Sequence, residues 1–518
     1  MSMGQTVYKN SMSTRISIVL TLLSGLLFVG CFPRLDCGAL AWVAFVPFLC
    51  TFPHRNVSRA IAHGFLFGIV AYGGILYWLA IFATHAIGRP LGVVAWLIGA
   101  IAQTTATVGF SIILQYVTAR GSRISTLFAI PSVWIIFEWI RQLGMLGTGW
   151  GDIGYSQHNA LDILQITRLG GVWLLGYVIV FVNAAIVSVL RSRRMYPWLI
   201  SAVCVVAFGC VYGRFILTHD TSNPSFIASA LQANVNQNVT WNGMRPRDPR
   251  YVSRVMTNLV SQMQQTALVH SSMSVTAETS FPGYLRFDPK LLKVVSRAAM
   301  QTHQAILIGG YDYDPETRKS LNALFLVNAD GVLSGEYEKR QLVPFGEFIP
   351  LRTFLPFLEA LHLDTISDLD RGGNVQPLMD AGGTAGKIGV ALCYESSYPA
   401  LTREQIVRGA SVLVVATDDT WFGHTAAAAQ HAAIAAIRSS ESDRYLVRTA
   451  ATGISEIIDN HGRVLVSTGL FERKAISAKI ESRSDLTLYE RFGDWIVVVC
   501  GVSLAVILWT AARAKPRS

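Results

Sequence analysis

Hydrophobic and polar positions are distributed along the chain in two different ways. Residues 16–217 and 495–512 form long apolar runs separated by short polar loops, whereas residues 218–494 mix the two as an ordinary globular α/β domain does. The apolar part divides into eight segments, 16–32, 38–53, 59–83, 90–117, 123–141, 170–190, 197–217 and 495–512. Several approach the ~20 residues that a helix needs to cross a hydrocarbon layer of about 30 Å. The first two are shorter, and a hairpin or re-entrant pair is an alternative there. In the mixed part, apolar runs at 226–233, 273–277, 305–309, 323–328, 386–392 and 412–416 predict strands, and 249–270, 289–302 and 425–443 predict helices. Asp330-Gly331 and His461-Gly462 predict hairpin turns. Strands alternating with helices predict a layered α/β fold. A polar linker at 218–225, with Thr221, Ser222, Asn223 and Pro224, joins it to the apolar part.

Composition agrees with a bilayer. The mean hydropathy is +0.40, and only 15% of residues are charged. A net charge of +10 could suit nucleic acid, but the placement of the charge argues otherwise. With the N-terminus taken as cytoplasmic, the inside segments carry Lys9, Arg15, Arg55, Arg59, Arg120, Arg123, Arg191, Arg193, Arg194, Arg513, Lys515 and Arg517. The short outside loops carry Arg34, Arg89 and Arg168, with Arg141 at a boundary. This is the positive-inside bias. It predicts a membrane domain of seven helices over 1–217, an extracytoplasmic domain over 218–494, and a last helix with a cytoplasmic tail over 495–518. Leu27-Phe28-Val29-Gly30-Cys31 has some likeness to a lipoprotein cleavage site, but the apolar segments that follow favour an uncleaved first helix. Six of the seven cysteines lie in or beside apolar segments. Cys393 alone lies in the polar part, so no disulfide within that domain is expected, and no Cys or His spacing reads as a metal site.

Three short segments carry candidate chemistry. Ala277-Glu278-Thr279-Ser280-Phe281-Pro282 follows a predicted strand, 337–347 follows a predicted hairpin, and Gly389-Val390-Ala391-Leu392-Cys393-Tyr394-Glu395 ends another strand. Open α/β sheets place their sites at strand ends. A thiol is mostly protonated at pH 7 and needs a base or a nearby cation to act as a nucleophile. Glu278 could take that proton, and Lys339 could stabilise a thiolate and a developing oxyanion. The N–H of Tyr394 could be the second oxyanion donor. Taken singly, each residue has a plainer reading. A lone Cys is commonly a small buried hydrophobe, a strand-end Glu is commonly solvated or a helix cap, and a Lys beside Arg340 is commonly surface charge.

Order and neighbours favour the chemical reading. The three segments resemble the Glu–Lys–Cys triad of the nitrilase superfamily. Lys339 with Leu342-Val343-Pro344-Phe345-Gly346-Glu347, Cys393-Tyr394-Glu395, Trp421-Phe422-Gly423 and Gln430-His431 are similar to segments of the apolipoprotein N-acyltransferase family. Weaker likenesses are Glu138 with Arg141, Trp150 with Gly154-Tyr155-Ser156-Gln157, and Gln232, Asn234, Gln237 and Trp241. For Glu138 the plain alternative is a helix-end carboxylate paired with Arg141. The resemblance implies an α-helical multi-pass membrane domain of about eight spans plus a nitrilase-like α/β/β/α sandwich. It implies Cys393 as nucleophile, Glu278 as general base and Lys339 as oxyanion stabiliser. Glu347 would position Lys339 or the base, and Tyr394 and Glu395 would border the nucleophile. Trp241, Trp421 and Phe422 would contact acyl chains or sit on lid loops, although Trp421 could equally be plain core. The family pattern has Asn where this chain has Asp418, and often near Ala451, which puts loop geometry and substrate preference in question.

The implied reaction moves a fatty acyl group from a membrane phospholipid onto the N-terminal amine of a diacylglyceryl-apolipoprotein, through a Cys thioester, at the outer face of a bacterial inner membrane. No cofactor, metal or nucleic acid is implied, and a monomer is expected. A membrane-anchored amidase or nitrilase hydrolase would share the triad but needs no eight spans and no apolar lid. A transporter or receptor would line a path with buried charges in the spans. Few are present: Glu138 and Arg141 near one end, and Asp494 at the start of the last span.

Overall fold

The computed structural model describes residues 12–54, 56–87, 89–235, 249–350 and 369–513. In the apolar part the helices are α1 (Thr14–Gly30), α2 (Val46–Cys50), α3 (Val57–Ile75), α4 (Trp78–Ile87), α5 (Arg89–Arg120), α6 (Arg123–Ile140), α7 (Leu161–Leu164), α8 (Thr167–Arg191) and α9 (Tyr196–Thr218). By length and composition, five helices can each cross a bilayer: α5, α6, α8, α9 and the C-terminal Trp495–Arg513. α3 and α4 make a sixth if their 59° bend lies within one span. The expected eight spans are thus five or six among the described residues. The segment 16–32 forms only a 17-residue helix, and 38–53 is split between a short 3₁₀ turn and α2. Small residues let the helices approach closely. Thr107 of α5 donates to the Gly64 carbonyl of α3 at 2.8 Å. A Cβ on Gly64 would stand 2.4 Å from Ser111 Oγ. Larger side chains fill the bundle centre, where the Phe45 and Trp134 rings meet edge to face at 4.6 Å.

The polar part contains β1 (Ser225–Gln232), α10 (Pro249–Ala267), β2 (Met273–Thr276), α11 (Pro289–Thr302), β3 (Ala305–Asp314), β4 (Lys319–Val327) and β5 (Leu333–Glu338). Then follow β6 (Leu369–Asp370), β7 (Met379–Asp380), β8 (Lys387–Leu392), α12 (Pro399–Val407), β9 (Val412–Thr417), α13 (Ala427–Ser442) and β10 (Leu446–Ala450). Last come β11 (Glu456–Ile458), β12 (Val464–Ser467), β13 (Lys474–Glu481), α14 (Leu488–Phe492) and α15 (Trp495–Arg513). One sheet runs β13-β1-β2-β3-β4-β5, with β6 beside β4, and the other runs β12-β11-β10-β9-β8-β7. Period-2 alternation decides which residues face which layer. Leu307, Leu324, Ile388, Val390, Val412 and Val414 fill the space between the sheets. Ile306, Ile308 and Phe325 turn outward against α10 and α11, and Leu413 and Val415 turn outward against α12 and α13. The result is the expected α/β/β/α sandwich. Asp494 ties the last helix into the bundle, accepting from Trp173 Nε1 at 2.9 Å and Trp139 Nε1 at 3.1 Å.

Candidate active site

Parallel pairing of β2 with β3 and of β8 with β9 points their carboxyl ends the same way. Glu278 lies just beyond β2, Lys339 follows β5, Cys393 follows β8 and Asp418 follows β9. All four are buried. Lys339 Nζ donates to Glu278 Oε1 at 2.8 Å and to Glu347 Oε1 at 2.6 Å. Burial alone would lower the Lys339 pKa, but Glu278 and Glu347 outweigh it and hold the ammonium charged. Glu347 Oε2 accepts from the Val343 N–H at 2.8 Å, which closes its own loop around the ion pair.

Cys393 adopts φ of +54°, the left-handed region that a side chain normally avoids. Such strain is held in place by its surroundings, and here Glu395 supplies much of the restraint. Its carboxylate accepts from the Arg340 and Gln341 N–H groups at 2.6 and 3.0 Å, from Leu392 N–H at 2.8 Å and from Tyr337 OH at 3.1 Å. The loop that carries Lys339 and the turn that carries Cys393 are therefore bolted to one fully buried carboxylate. Burial and the Glu278 carboxylate push the Cys393 thiol well up, with Lys339 pulling the other way. A thiol in that state stays protonated at rest and needs a base as it attacks.

The structure thus brings together Glu278, Lys339, Glu347, Cys393, Tyr394 and Glu395. Trp421 and Phe422 lie on the side of the membrane helices. The Phe422 ring is 4.9 Å from that of Trp78 and 6.3 Å from that of Phe82, and Trp421 is 6.3 Å from Phe82. Trp241 lies outside the described residues. Tyr394 OH donates to the Gly147 carbonyl at 2.6 Å, tying the Cys393 turn to the loop after α6. Gln430 bridges the same junction. Its Oε1 accepts from Trp150 Nε1 at 2.7 Å and Trp78 Nε1 at 3.2 Å, and its Nε2 donates to the Pro33 carbonyl at 2.8 Å. The Glu138–Arg141 pair, the plain alternative for Glu138, is not what forms. The chain turns back after α6, and Arg141 pairs with Asp152. Glu138 instead accepts from Trp134 Nε1 and from Ile153 N–H, both at 2.8 Å.

Two groups were not singled out from the sequence. Asn322 on β4 donates through Nδ2 to Glu278 at 2.7 Å and to Glu347 at 3.3 Å, while its backbone carbonyl accepts from Lys339 N–H at 2.8 Å. A lone amide in the apolar run of β4 was the signal that could have found it. Thr417 Oγ1 donates to Asp419 at 2.9 Å. Asp418 gives its N–H to Glu278 Oε2 at 2.9 Å. Its own carboxyl, pushed up to about 7 mainly by burial, accepts from Thr420 N–H at 3.1 Å. A protonated Asp has nearly the shape of Asn.

Comparison with known proteins follows the same division. The family model for the apolipoprotein N-acyltransferase N-terminal domain matches residues 24–185, and that for carbon-nitrogen hydrolases matches residues 239–487. The apolipoprotein N-acyltransferase of Geobacter metallireducens is 30% identical over 518 aligned positions, covering 97% of this chain and 96% of its own. That of Methylococcus capsulatus is 27% identical over 510, covering 97% of each. A solved structure from Saccharomyces cerevisiae, Nit3, of branch 10 of the nitrilase superfamily, covers 50% of this chain and 90% of its own at 17% identity and a TM-score of 0.36. With a relative at this identity along nearly its whole length, and with both family models matched in order, the chain belongs to the apolipoprotein N-acyltransferase family.

Proposed function

We propose that the Glu278–Lys339–Cys393 cluster transfers a fatty acyl group from a phospholipid to the α-amine of a diacylglyceryl-cysteine at a lipoprotein N-terminus. In the first half, Cys393 Sγ attacks the ester carbonyl while Glu278 takes the thiol proton. Lys339 and the Tyr394 N–H hold the oxyanion. Collapse breaks the ester C–O bond, Glu278 protonates the departing lysophospholipid oxygen, and a thioester remains. In the second half, the amine attacks that thioester, Glu278 takes the amine proton and returns it to Cys393 sulfur, and an amide is released. Glu347 positions Lys339, and Glu395 positions both loops. Trp241, Trp421 and Phe422 exclude water from the thioester. The reading divides the chain at 217/218 and 494/495. It sets the catalytic domain, as a monomer, on the extracytoplasmic face of the inner membrane.

The observation that carries this reading is the buried Lys339 ammonium, gripped at 2.8 and 2.6 Å by Glu278 and Glu347, beside a cysteine in a strained turn. Intact-mass analysis of the protein incubated with phospholipid is expected to gain one fatty-acyl increment. The increment should leave when a diacylglyceryl-cysteine peptide is added, and appear on that peptide. An adduct lost to water alone, with short amides hydrolysed, would instead favour the hydrolase.

Asp418 adds a pH dependence. An unfolded Asp titrates near ~3.9, whereas burial raises this one to about 7. The folded state therefore binds the proton more tightly, and this contribution to stability is lost as pH rises from about 4 through about 7. Ionised Asp418 also adds a negative charge beside Glu278 and works against thiolate formation. Acylation by the native chain is expected to bend downward near pH 7 relative to Asp418→Asn. Superimposable pH–rate profiles would remove Asp418 from the account.

A further inference from the structure

Beyond the cluster that reacts lies a second buried chain of polar groups to which neither the proposed reaction nor the family comparison gives a task. Arg448 on β10 donates from Nη2 to Asp419 Oδ2 at 2.7 Å. Asp419 Oδ1 lies 3.0 Å from His431 Nδ1 on α13. His431 Nε2 lies 3.0 Å from the Cys393 carbonyl oxygen and 2.9 Å from Ser396 Oγ. The same carbonyl accepts from Ser396 Oγ at 3.0 Å. His431, Asp419, Arg448 and Ser396 are all buried, at 2% exposure or less. A carbonyl oxygen only accepts, so Ser396 Oγ donates to it, with His431 Nε2 set against both atoms. Arg448 and His431 outweigh the burial of Asp419 and hold its carboxyl below the usual range, so the chain has a firmly anionic link in its middle.

What this chain grips is one end of a peptide whose other end matters. The Cys393–Tyr394 bond is trans. In a trans peptide the C=O and the N–H point in opposite directions within one plane. Fixing the Cys393 oxygen therefore aims the Tyr394 N–H away from His431. That N–H opens the 3₁₀ turn Cys393–Ser397, where first-turn amides have no acceptor within the helix. Hydrogen bonds to a peptide oxygen also polarise the unit and make its N–H a better donor. We propose that His431, oriented by Asp419 and Arg448, is a positioning residue for the oxyanion site: it aligns and polarises the Cys393–Tyr394 peptide from behind. The inference rests on the oxyanion role given above to the Tyr394 N–H. It also gives a reason for the left-handed turn at Cys393, since that turn swings the carbonyl toward α13.

The test compares two reactions of the same sulfur in the full-length, lipid-reconstituted protein. Thioester formation from phospholipid passes through an oxyanion. Alkylation of Cys393 by iodoacetamide, a displacement at saturated carbon, does not. Removing an oxyanion donor outright costs roughly 10²–10³-fold, and loss of its support should cost somewhat less. His431→Ala is therefore expected to slow acylation about 10- to 100-fold through kcat, with KM for phospholipid and the alkylation rate within about threefold of native. His431→Gln, whose side-chain amide can reach the position of Nε2, should recover most of the rate, and His431→Asn, which reaches only as far as Nδ1, should not. The Gln and Asn comparison stands even if the Ala variant folds poorly. Equal losses of acylation and alkylation, or equal rates for Gln and Asn, would overturn the proposal in favour of a merely structural histidine. So would native acylation by His431→Ala. Full acylation by a chain lacking the Cys393 thiol would instead overturn the underlying reading.

Discussion

Cys393→Ala is expected to form no acyl-enzyme and to transfer no acyl group, a loss of at least about 10⁴-fold, the scale seen when a nucleophile is removed from a set of groups that act together. Cys393→Ser should fall nearly as far. A hydroxyl is harder to deprotonate than a thiol, and the surroundings of Cys393 already resist charge on the sulfur. Backbone geometry supplies a control separating chemistry from folding. At φ of +54°, Ala keeps the strain that Cys bears and Gly relieves it. Cys393→Gly should therefore be more stable than Cys393→Ala by about 1 kcal/mol, although both are inactive. Heat denaturation in matched lipid, read beside intact mass, checks both points. Retention of even a few per cent of native transfer by Cys393→Ala would end the thioester mechanism.

How much of this was legible in the sequence depends on the range over which each feature is set. Glu278, Lys339 and Cys393 each sit beyond an apolar run, so their place at strand ends could be read locally. The strand β13 could not. Its pattern Lys-Ala-Ile-Ser-Ala-Lys-Ile-Glu is only weakly apolar, and it becomes a strand by pairing along its full length with β1, more than two hundred residues earlier. β10 was missed for a different reason. It carries Arg448 and Thr449 in a fully buried strand, where polar letters argue against a core position. Those residues are buried because Asp419 meets Arg448, a partner that no local pattern announces. The bent α3–α4 pair and the short α1 and α2 show the converse. Apolar runs identify what is buried in protein or lipid, but spanning is a matter of helix length and continuity. Phe422 and Gln430 show the same limit at the junction, where their contacts come from Trp78, Trp150 and Pro33, far away in the chain.

Lys339→Met is the substitution expected to damage both folding and catalysis, for one electrostatic reason. It removes the cation between Glu278 and Glu347 and leaves the buried Glu278 carboxylate and the half-buried Glu347 carboxylate together at the Asn322 amide. Breaking a buried ion cluster by deleting one partner typically costs about 3–5 kcal/mol, because the remaining charge is uncompensated. The oxyanion also loses its nearest cation. Acylation should therefore drop by roughly 10³-fold or more. Adding Glu347→Gln removes the surplus negative charge without restoring the ammonium. The double variant should regain much of the lost stability and none of the lost rate, a coupling that a double-mutant cycle in thermal midpoint and single-turnover acylation measures directly. If Lys339→Met acylates within about tenfold of native, the oxyanion role of Lys339 fails. If the double variant is no more stable than the single one, the charge account of the buried cluster fails with it.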